Sequence, residues 1–503
     1  MNEELRMRED WIECTLGEVC EVNMGQSPPS STYNTDGIGL PFFQGKAEFT
    51  DLHPVVKKWC SVPKKTANKN DILLSVRAPV GSTNIANQEC SIGRGLAAIT
   101  YKYGNMFIWY YLKSIEPKLD SQGTGTTFKA ISGTILKSQI IEFPPLVEQK
   151  AIVKKIEELF SSLDSGISDL KKAQDQLVIY RQAVLKKAFE GELTKEWREK
   201  QTNLPSADEL LEQIKEERQK HYEQQLATWK EAVKTWEENG KEGKKPIKPK
   251  PNKVFDPLNE EELKSLFALS NQFKWVKIGE ICSVKGGKRL PKGHKFAENK
   301  TDFIYIMAGN LKDGTVKNKL TYINEDTYNE LFRYSVNSGE VYITIVGACI
   351  GDAGIIPENY NLSILTENAA KIISTKSLYN KYLSFWLNSL VAQIRIKGSV
   401  FSATLGKLAL SRVELLEIPI CSKQEQHQIV QEIESRLSVC DKVEKDIADS
   451  LEKAQALRQS ILKKAFEGKL LSEEEIAKCK ADKDYEPASV LLGRIKAEKK
   501  KKK

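Results

Sequence analysis

The chain has 503 residues, of which 40% are hydrophobic and 29% are charged, and its formal net charge is +8. This length is enough for about two to four domains of ordinary size. No apolar run approaches the roughly 18 residues that cross a bilayer, and the first residues lack the apolar core of a signal peptide, so no membrane association is expected and a cytoplasmic protein is predicted. The nine cysteines form no CxxC pair and the four histidines are scattered, which argues against a disulfide framework or a zinc site.

Residues 1–147 are typical of a mixed α and β domain. The segment opens with DWIECTLGEVCEV at 10–22, and NDILLSVRAPVGS at 70–82 alternates as a strand does before turn residues. FIWYYLKS at 107–114 has the composition of an aromatic, buried helix. The pattern therefore predicts an α+β fold with a twisted sheet.

Residues 148–191 predict one long helix. Apolar residues recur at a strict interval of seven, at Ile156, Leu163, Leu170, Leu177 and Val184. A narrow apolar seam of this period is typical of a coiled coil. The helix ends in LKKAFEG, where Phe189 lies in the last turn and Gly191 is suited to a left-handed C-terminal cap.

Residues 192–272 differ in composition from both neighbours and predict a charged connector, partly helical and partly extended. The stretch KEERQKHYEQQLATWKEAVKTW is helix-like, whereas ENGKEGKKPIKPKPNK reads as extended, solvated chain.

Residues 273–420 resemble the first globular segment only loosely. KWVKIGEICSV at 274–284 corresponds to the opening of the first segment. SGEVYITIVGACIG at 338–351 corresponds to its alternating strand, and YLSFWLNS at 382–389 corresponds to its aromatic helix. A second α+β domain is predicted, with the same landmarks and otherwise different residues.

Residues 421–470 repeat the long helix. A shift of 277 positions aligns residues 148–193 with residues 425–470 without a gap, with 19 identities in 46 positions. The apolar seam of the second helix includes Ile433, Ile447, Leu457 and Ile461, and Phe466 stands in a second LKKAFEG. Two closely matched helices behind two divergent domains indicate a duplication that performs one physical task twice. Residues 471–503 read as a basic tail, disordered in part.

A search for catalytic motifs finds none of the usual ones. The chain lacks GxxxxGK[ST], HExxH, GxSxG and a DPPY-like tetrapeptide. The sequence therefore predicts a binding protein with no catalytic residues and no metal site of its own.

Basic residues beside turn glycines are the candidate DNA contacts. In the second domain they are Lys285, Lys288, Arg289 and Lys292, in KGGKRLPKG, for which a solvated loop is the alternative. In the first domain they are Lys46, Arg77 and Arg94, for which surface salt bridges are the alternative.

Taken together, these features resemble the specificity subunit of type I restriction–modification systems. The resemblance rests on the WxxxxLGE-like opening, FPPLVEQKAIVKKIEELF leading into the first helix, AVLKKAFEGELT at its end, and the repetition of the whole arrangement. The second copy departs from the pattern at IPICSKQEQHQIVQEIE, where Ile420 replaces the second proline.

The resemblance implies two target recognition domains, each reading one half of a bipartite, asymmetric site in double-stranded DNA. It implies that the helices pair as an antiparallel coiled coil with a pseudo-two-fold arrangement, and that they dock two methyltransferase subunits. Those partners would use S-adenosylmethionine to methylate adenine, and motor-endonuclease subunits would use ATP and Mg²⁺, so this chain would bind no cofactor. A coiled-coil scaffold without DNA specificity and a self-contained modification enzyme are the alternatives; the second lacks the motifs that it needs.

Overall fold

In a computed structural model of the protein, the described residues are 8, 10–125, 129–317, 319–400 and 406–501. The chain divides into two compact units. The first unit combines residues 1–172 with residues 446–503, and the second contains residues 173–445. Each unit therefore holds one globular domain, the beginning of one long helix and the end of the other.

The first domain and its long helix contain eleven named strands and five helices among the described residues. The strands are β1 (Ile12–Thr15), β2 (Glu21–Met24), β3 (Tyr33–Asn34), β4 (Leu40–Phe43), β5 (Trp59–Cys60), β6 (Thr66–Ala67), β7 (Ile72–Ser75), β8 (Thr83–Ile85), β9 (Cys90–Ile92), β10 (Leu96–Thr100) and β11 (Ile140–Phe143). The helices are α1 (Leu16–Val19), α2 (Asn105–Ser114), α3 (Glu116–Ser121), α4 (Gly133–Lys137) and the long α5 (Leu146–Phe189).

The connector and the second domain follow. The connector contains α6 (Lys195–Glu199), α7 (Ala207–Glu238) and α8 (Glu260–Lys264). The strands of the second domain are β12 (Lys274–Lys277), β13 (Cys282–Gly286), β14 (Ile304–Ile306), β15 (Leu311–Lys312), β16 (Thr315–Val316), β17 (Thr321–Tyr322), β18 (Val341–Thr344), β19 (Ala353–Ile355), β20 (Ile364–Leu365), β21 (Ala369–Ser374) and β22 (Glu417–Ile420). The remaining helices are α9 (Ile278–Ile281), α10 (Glu325–Leu331), α11 (Asn380–Leu387), α12 (Leu390–Gly398), α13 (Leu410–Glu414), the long α14 (Lys423–Phe466), α15 (Glu473–Lys480) and α16 (Ala488–Lys501).

The two domains share one frame and differ outside it. Each has a four-stranded antiparallel sheet, in the order β2-β10-β7-β8 in the first and β13-β21-β18-β19 in the second. In each, the first and last strands also pair, β1 with β11 and β12 with β22. The remaining strands form a five-stranded sheet in the first domain, but separate three-stranded and two-stranded sheets in the second. The predicted α+β class is confirmed.

The long helices pack against each other in opposite directions within each unit. In the first unit Arg458, late in α14, pairs with Asp164, early in α5, and its guanidinium lies 5.0 Å from the ring centre of Phe160. In the second unit Arg181, late in α5, pairs with Asp441 at 2.6 Å and Glu444 at 2.9 Å. The antiparallel pairing is therefore present in both units.

The predicted apolar seam is buried or half-buried at most of its positions. The buried or half-buried members are Ile156, Leu163, Leu170, Leu177 and Val184 in α5, and Ile433, Ile447 and Ile461 in α14. Leu457 is the exception, at 49% exposed. It lines an open groove beside Leu159 and Leu163 of α5.

The end of each long helix packs on the globular domain of its own unit. Phe466 lies 5.3 Å from Phe107 and 5.6 Å from Tyr111, measured between ring centres. In the second unit, Phe189 lies 5.1 Å from Tyr382 and 5.0 Å from Trp386. Phe189 is fully buried, so these aromatic rings join each helix end to a domain core. The hypothesis that Phe189 and Phe466 belong with the coiled-coil and partner-binding residues of the helices stays a prediction.

The glycine of each LKKAFEG ends its helix in the predicted left-handed conformation. Gly191 has φ +77° and Gly468 has φ +69°. A methyl group on Gly191 would lie 2.8 Å from Arg198 and 2.9 Å from Phe273. Both the backbone conformation and the space therefore require glycine at this position.

Replacement of Gly191 by alanine is expected to lower the free energy of unfolding of the second unit by about 1–3 kcal/mol, through backbone strain and crowding. Gly166 is a matched control, because it lies inside α5 with no atom within 4 Å of an added methyl group. Gly166→Ala is expected to stabilise the helix by about 1 kcal/mol. Thermal unfolding of the two variants checks the prediction, and equal effects would contradict it.

A buried glutamate from the repeated Glu-Gln pair lies beside each glycine cap. Glu425 accepts hydrogen bonds from Thr194 Oγ1 and Arg198 Nε, both at 2.7 Å, and Arg198 lies over the ring of Phe273. In the first unit Glu148 accepts from Trp11 Nε1 at 2.9 Å and pairs with Arg8 at 3.0 Å. Arg8 in turn lies over Trp11, 5.6 Å from its ring centre.

The two repeated motifs therefore meet in each unit. The glutamate that begins one long helix binds an arginine stacked on an aromatic ring, and that arginine lies against the glycine that ends the other helix. In the second unit this arginine is Arg198, which follows α5 in the chain. In the first unit it is Arg8, which precedes β1. Because the two arginines occupy unrelated positions in the sequence, the sequence repeat alone does not show this cluster of glutamate, arginine, aromatic ring and glycine.

The predicted basic tail is corrected to two helices. Residues 471–503 were expected to be disordered in part, yet Glu473–Lys480 and Ala488–Lys501 are helical, and Leu491, Leu492 and Ile495 are buried in the first unit. The Nζ of Lys499 donates to the carbonyl oxygens of Gly17 and Cys20. The apolar face of α16 therefore docks on the first domain despite the lysines around it.

The connector helix α7 makes the equivalent contact in the second unit. Leu210, Leu211 and Ile214 are buried there, and Arg218 Nη1 donates to the carbonyl oxygen of Cys282 at 2.8 Å. A shift of 281 positions aligns residues 207–218 with residues 488–499. The duplication thus continues past LKKAFEG into a docking helix, after a break where the intervening segments differ in length.

Candidate nucleic-acid interface

Four loops of the first domain meet beyond the ends of β2, β4, β7 and β9. The N–H of Gly25 donates to the carbonyl of Leu96 at 2.9 Å, and the N–H of Gly93 donates to that of Phe43 at 2.8 Å. The N–H of Val76 donates to the carbonyl of Gly95, also at 2.9 Å. These bonds bring residues 25–29, 44–48, 77–80 and 93–95 together, and we call this surface the first rim.

The first rim carries all three cations predicted for this domain. Lys46, Arg77 and Arg94 are exposed, and none forms a salt bridge with a carboxylate in the described part of the chain. Lys46 lines a cleft of about 580 Å³ together with Gln44, Glu48 and Pro79. The backbone of Arg94 is fixed by Ser27, whose Oγ accepts from the Arg94 N–H at 3.2 Å. Residues far apart in sequence thus present free positive charge on one surface.

The second rim occupies the corresponding place in the second domain, and we define it as residues 287–292, 346–350 and 366–368. The Lys288 N–H donates to the carbonyl of Leu365 at 2.9 Å, as the Gln26 N–H does to Ile92 in the first domain. Tyr305 fixes the loop from behind, because its hydroxyl donates to the carbonyl of Lys288 at 2.7 Å. Burial raises the pKa of Tyr305 to about 12, so it stays a donor at neutral pH.

The predicted cations of the second domain lie at or beside this rim. Lys285 is exposed on β13, and Lys288, Arg289 and Lys292 are exposed on the loop that follows. Arg289 Nε lies 3.4 Å from Glu367 Oε1, which limits the directions in which the guanidinium points. The remaining three form no salt bridge within the described ranges. A Gly-rich turn predicted at 123–132 and a Ser-rich turn predicted at 398–406 include residues 126–128 and 401–405, which are outside those ranges.

Equivalent positions of the two rims carry different chemistry. Arg94 of the first rim corresponds to Glu367 of the second, because each follows the strand that receives the loop N–H. Arg77 corresponds to Val346, since both follow the third strand of the common sheet and bridge to a neighbouring chain segment. One frame therefore supports two rims with different patterns of donors and acceptors.

Other kinds of site have less support. Among the residues that the structure describes, no group of histidine, cysteine, aspartate and glutamate is arranged to hold a metal ion. Burial raises the pKa of the Cys90 and Cys282 thiols to about 12, which disfavours the reactive thiolate. No helix within the described ranges is both long and apolar enough to cross a membrane.

Comparison with known families shows the family to which this chain belongs. The family model described as "Type I restriction modification DNA specificity domain" matches residues 8–172 and 271–453, which together exceed half of the chain. The chain belongs to the type I restriction–modification specificity subunits. Each match covers one globular domain and the first part of the long helix that follows it, so the two domains are its DNA recognition domains.

Individual relatives agree with this assignment. The EcoBI specificity subunit of Escherichia coli is 24% identical over 504 residues, covering 98% of this chain and 93% of that protein. A Methanocaldococcus jannaschii protein, provisionally named the type I restriction enzyme MjaX specificity subunit, is 42% identical over 190 residues; the match covers 37% of this chain and 44% of that relative. The HsdS structure from Thermoanaerobacter tengcongensis shares the fold, with a TM-score of 0.52 and 17% identity, covering 93% of this chain and 99% of that one.

The sequence alone indicated the rim cations but missed much of what holds the specificity subunit together. Glycines beside Arg77, Arg94 and Lys288 were a usable signal for exposed turns. The docking residues Arg218 and Lys499 were missed, although the 281-position shift of the repeat would have shown them. The glutamate-binding arginines left no repeat signal, since Arg8 and Arg198 occupy unrelated sequence positions.

Proposed function

We propose that each recognition domain of this specificity subunit reads one half of a bipartite, asymmetric DNA sequence through its rim. The observation that supports this most directly is the common frame with two different rims. Because the two domains share one frame, both can bind a duplex in the same way. Because equivalent rim positions carry different side chains, the two domains can recognise different half-sites. Exposed arginines and lysines, which except for Arg289 have no carboxylate partner in the described part of the chain, suit base edges and phosphates.

The paired long helices would set the distance between the half-sites and carry the partner subunits. An α-helix rises 1.5 Å per residue, so the 44 residues of α5 span about 66 Å. In the proposed complex two methyltransferase subunits dock on this frame and bring S-adenosylmethionine for adenine methylation. Motor-endonuclease subunits add ATP- and Mg²⁺-dependent cleavage. The specificity subunit would bind none of these cofactors and would perform no chemistry.

The first rim can be tested by removing its charge. We expect the triple variant Lys46→Ala, Arg77→Ala and Arg94→Ala to bind the cognate duplex at least about 30-fold more weakly, because each direct contact contributes about 1–3 kcal/mol. Lys154, Lys172 and Lys186 provide a matched control, since each pairs with a carboxylate three or four residues away in the chain. Fluorescence anisotropy with the full chain measures both variants. Equal affinities for the two variants would contradict a role of the first rim in DNA binding.

A further inference from the structure

The connector contains an arm that the recognition frame does not use. Beyond Arg218, the second half of α7 extends to Glu238, and the chain then folds back along it. Trp229 Nε1 donates to the carbonyl of Pro246 at 3.0 Å, and Trp236 Nε1 donates to that of Gly243 at 3.3 Å. We call residues 219–253 the connector arm. The indoles of Trp229 and Trp236 therefore hold an extended Lys- and Pro-rich segment against α7; we call this segment the returning strand, although it belongs to no sheet.

The returning strand of the arm carries positive charge that no carboxylate neutralises. Its exposed lysines without a salt bridge to any described residue are Lys244, Lys245, Lys248 and Lys250. Lys245 and Lys248 lie over Trp236 and Trp229, each 5.8 Å from the ring centre, which orients them without removing their charge. The next lysine, Lys253, marks the root of the arm, where it pairs with Glu414 at 2.5 Å.

The helical side of the same arm is different. Lys220 and Lys234 lie 3.7 Å and 3.8 Å from Glu216 and Glu238, one turn away on the helix. Two of the three lysines on this part of the helix are thus paired, Lys230 being the exception, whereas the four lysines between residues 244 and 250 form no salt bridge within the described ranges. A linker that is only solvated would not need tryptophans to fix its position. An ordered segment with unpaired lysines therefore indicates an anionic ligand.

The shape of the strand fits a long polyanion. Pro246, Pro249 and Pro251 prevent helix formation and favour an extended backbone, of about 3.1 Å per residue. Residues 244–250 therefore span about 19 Å, over which a DNA duplex presents roughly ten negative charges. For a DNA specificity subunit, the polyanion that fits this description is the DNA duplex to which it binds.

We propose that the connector arm binds the phosphate backbone of duplex DNA without reading sequence. The inference rests on the proposed function, because DNA recognition by the rims is what brings a duplex to this chain. The arm would add affinity for any duplex, while the rims choose the sequence. The arm would therefore contribute to the salt-dependent, sequence-independent part of the binding free energy.

The test replaces Lys244, Lys245, Lys248 and Lys250 by glutamine in the full-length chain. The probe is a random-sequence duplex, with binding measured by fluorescence anisotropy over a range of KCl concentrations. We expect affinity at low salt to fall about 10-fold or more, and the slope of log affinity against log salt to become shallower by about 2–4, since each lost phosphate contact removes about 0.9. The variant with arginine at all four positions should keep wild-type affinity and slope.

A matched control removes the same charge from the same connector. Lys215, Lys220, Lys234 and Lys264 each lie within 3.9 Å of a glutamate on their own helix, and their replacement by glutamine should leave the slope nearly unchanged. Equal slopes for the test and control variants would overturn the proposal. So would unchanged DNA binding with weaker association of the methyltransferase subunits, which would assign the arm to an acidic protein surface.

The two proposals fail in different ways. In the glutamine variant of the arm, the preference for the cognate duplex over the random one should persist, because the rims are intact. Loss of that preference with unchanged affinity for random DNA would overturn the arm proposal alone. A wild-type chain without any sequence preference would instead refute the proposed function of the rims.

Discussion

Exchanging residues 25–95 for the corresponding segment of another specificity subunit is expected to change one half of the recognised DNA motif and leave the other half intact. These residues include the whole first rim, and they begin and end at the hydrogen-bonded glycines Gly25 and Gly95. Base readout depends on which side chains a rim presents, so a new rim should specify a new half-site.

The boundaries of this exchange keep the contacts that hold the first unit together. Strands β1 and β11, the ring contacts of Phe466 with α2, and the bonds from Lys499 to Gly17 and Cys20 are all retained. The reciprocal exchange of residues 287–368 should change only the other half-motif. Sequencing of methylated bases in cells that express each chimera with the proposed methyltransferase subunits measures the result. A change in both halves from either exchange would contradict independent readers.

Replacement of Glu425 by alanine is expected to destabilise the second unit more than Gly191→Ala does. The glutamate is 1% exposed and binds Thr194 and Arg198, and Arg198 itself is largely buried. Removal of one partner leaves the other charge buried and unpaired, which costs about 3–5 kcal/mol. Because this carboxylate connects the start of α14 with the segment that follows α5, the second unit should unfold at lower temperature.

Glu434 is the matched control on the same helix. It pairs with Lys381 at 2.6 Å, but both side chains are nearly half-exposed. An exposed ion pair contributes at most about 1 kcal/mol, so Glu434→Ala should change the unfolding temperature little. Differential scanning calorimetry of the two variants makes the comparison. Similar losses for both would show that the buried cluster does not stabilise the second unit.

The sequence predicted the parts of the fold that depend on local patterns. The seven-residue period predicted helices over 148–191 and 421–470, and the structure has them at Leu146–Phe189 and Lys423–Phe466. The C-terminal cap was also predictable, since Gly191 and Gly468 follow the last apolar position and lysines precede them. Both features are encoded by neighbours a few residues apart.

The parts that depend on distant contacts were not predictable in the same way. Helix α16 was read as a basic tail because its apolar face is short and lies among lysines. Its burial follows from the surface of the first domain, which the local sequence does not show. The rim illustrates the same limit: Lys46, Arg77 and Arg94 could each be selected as exposed cations, but only the hydrogen bonds between the loops place them on one surface.

The most direct test of two recognition domains on one common frame is the methylome of cells that carry this chain with the methyltransferase subunits proposed as its partners. The expected result is a single split motif, with two different specified halves separated by a spacer of fixed length, methylated on both strands. Methylation at an uninterrupted motif, or scattered without any motif, would contradict the account.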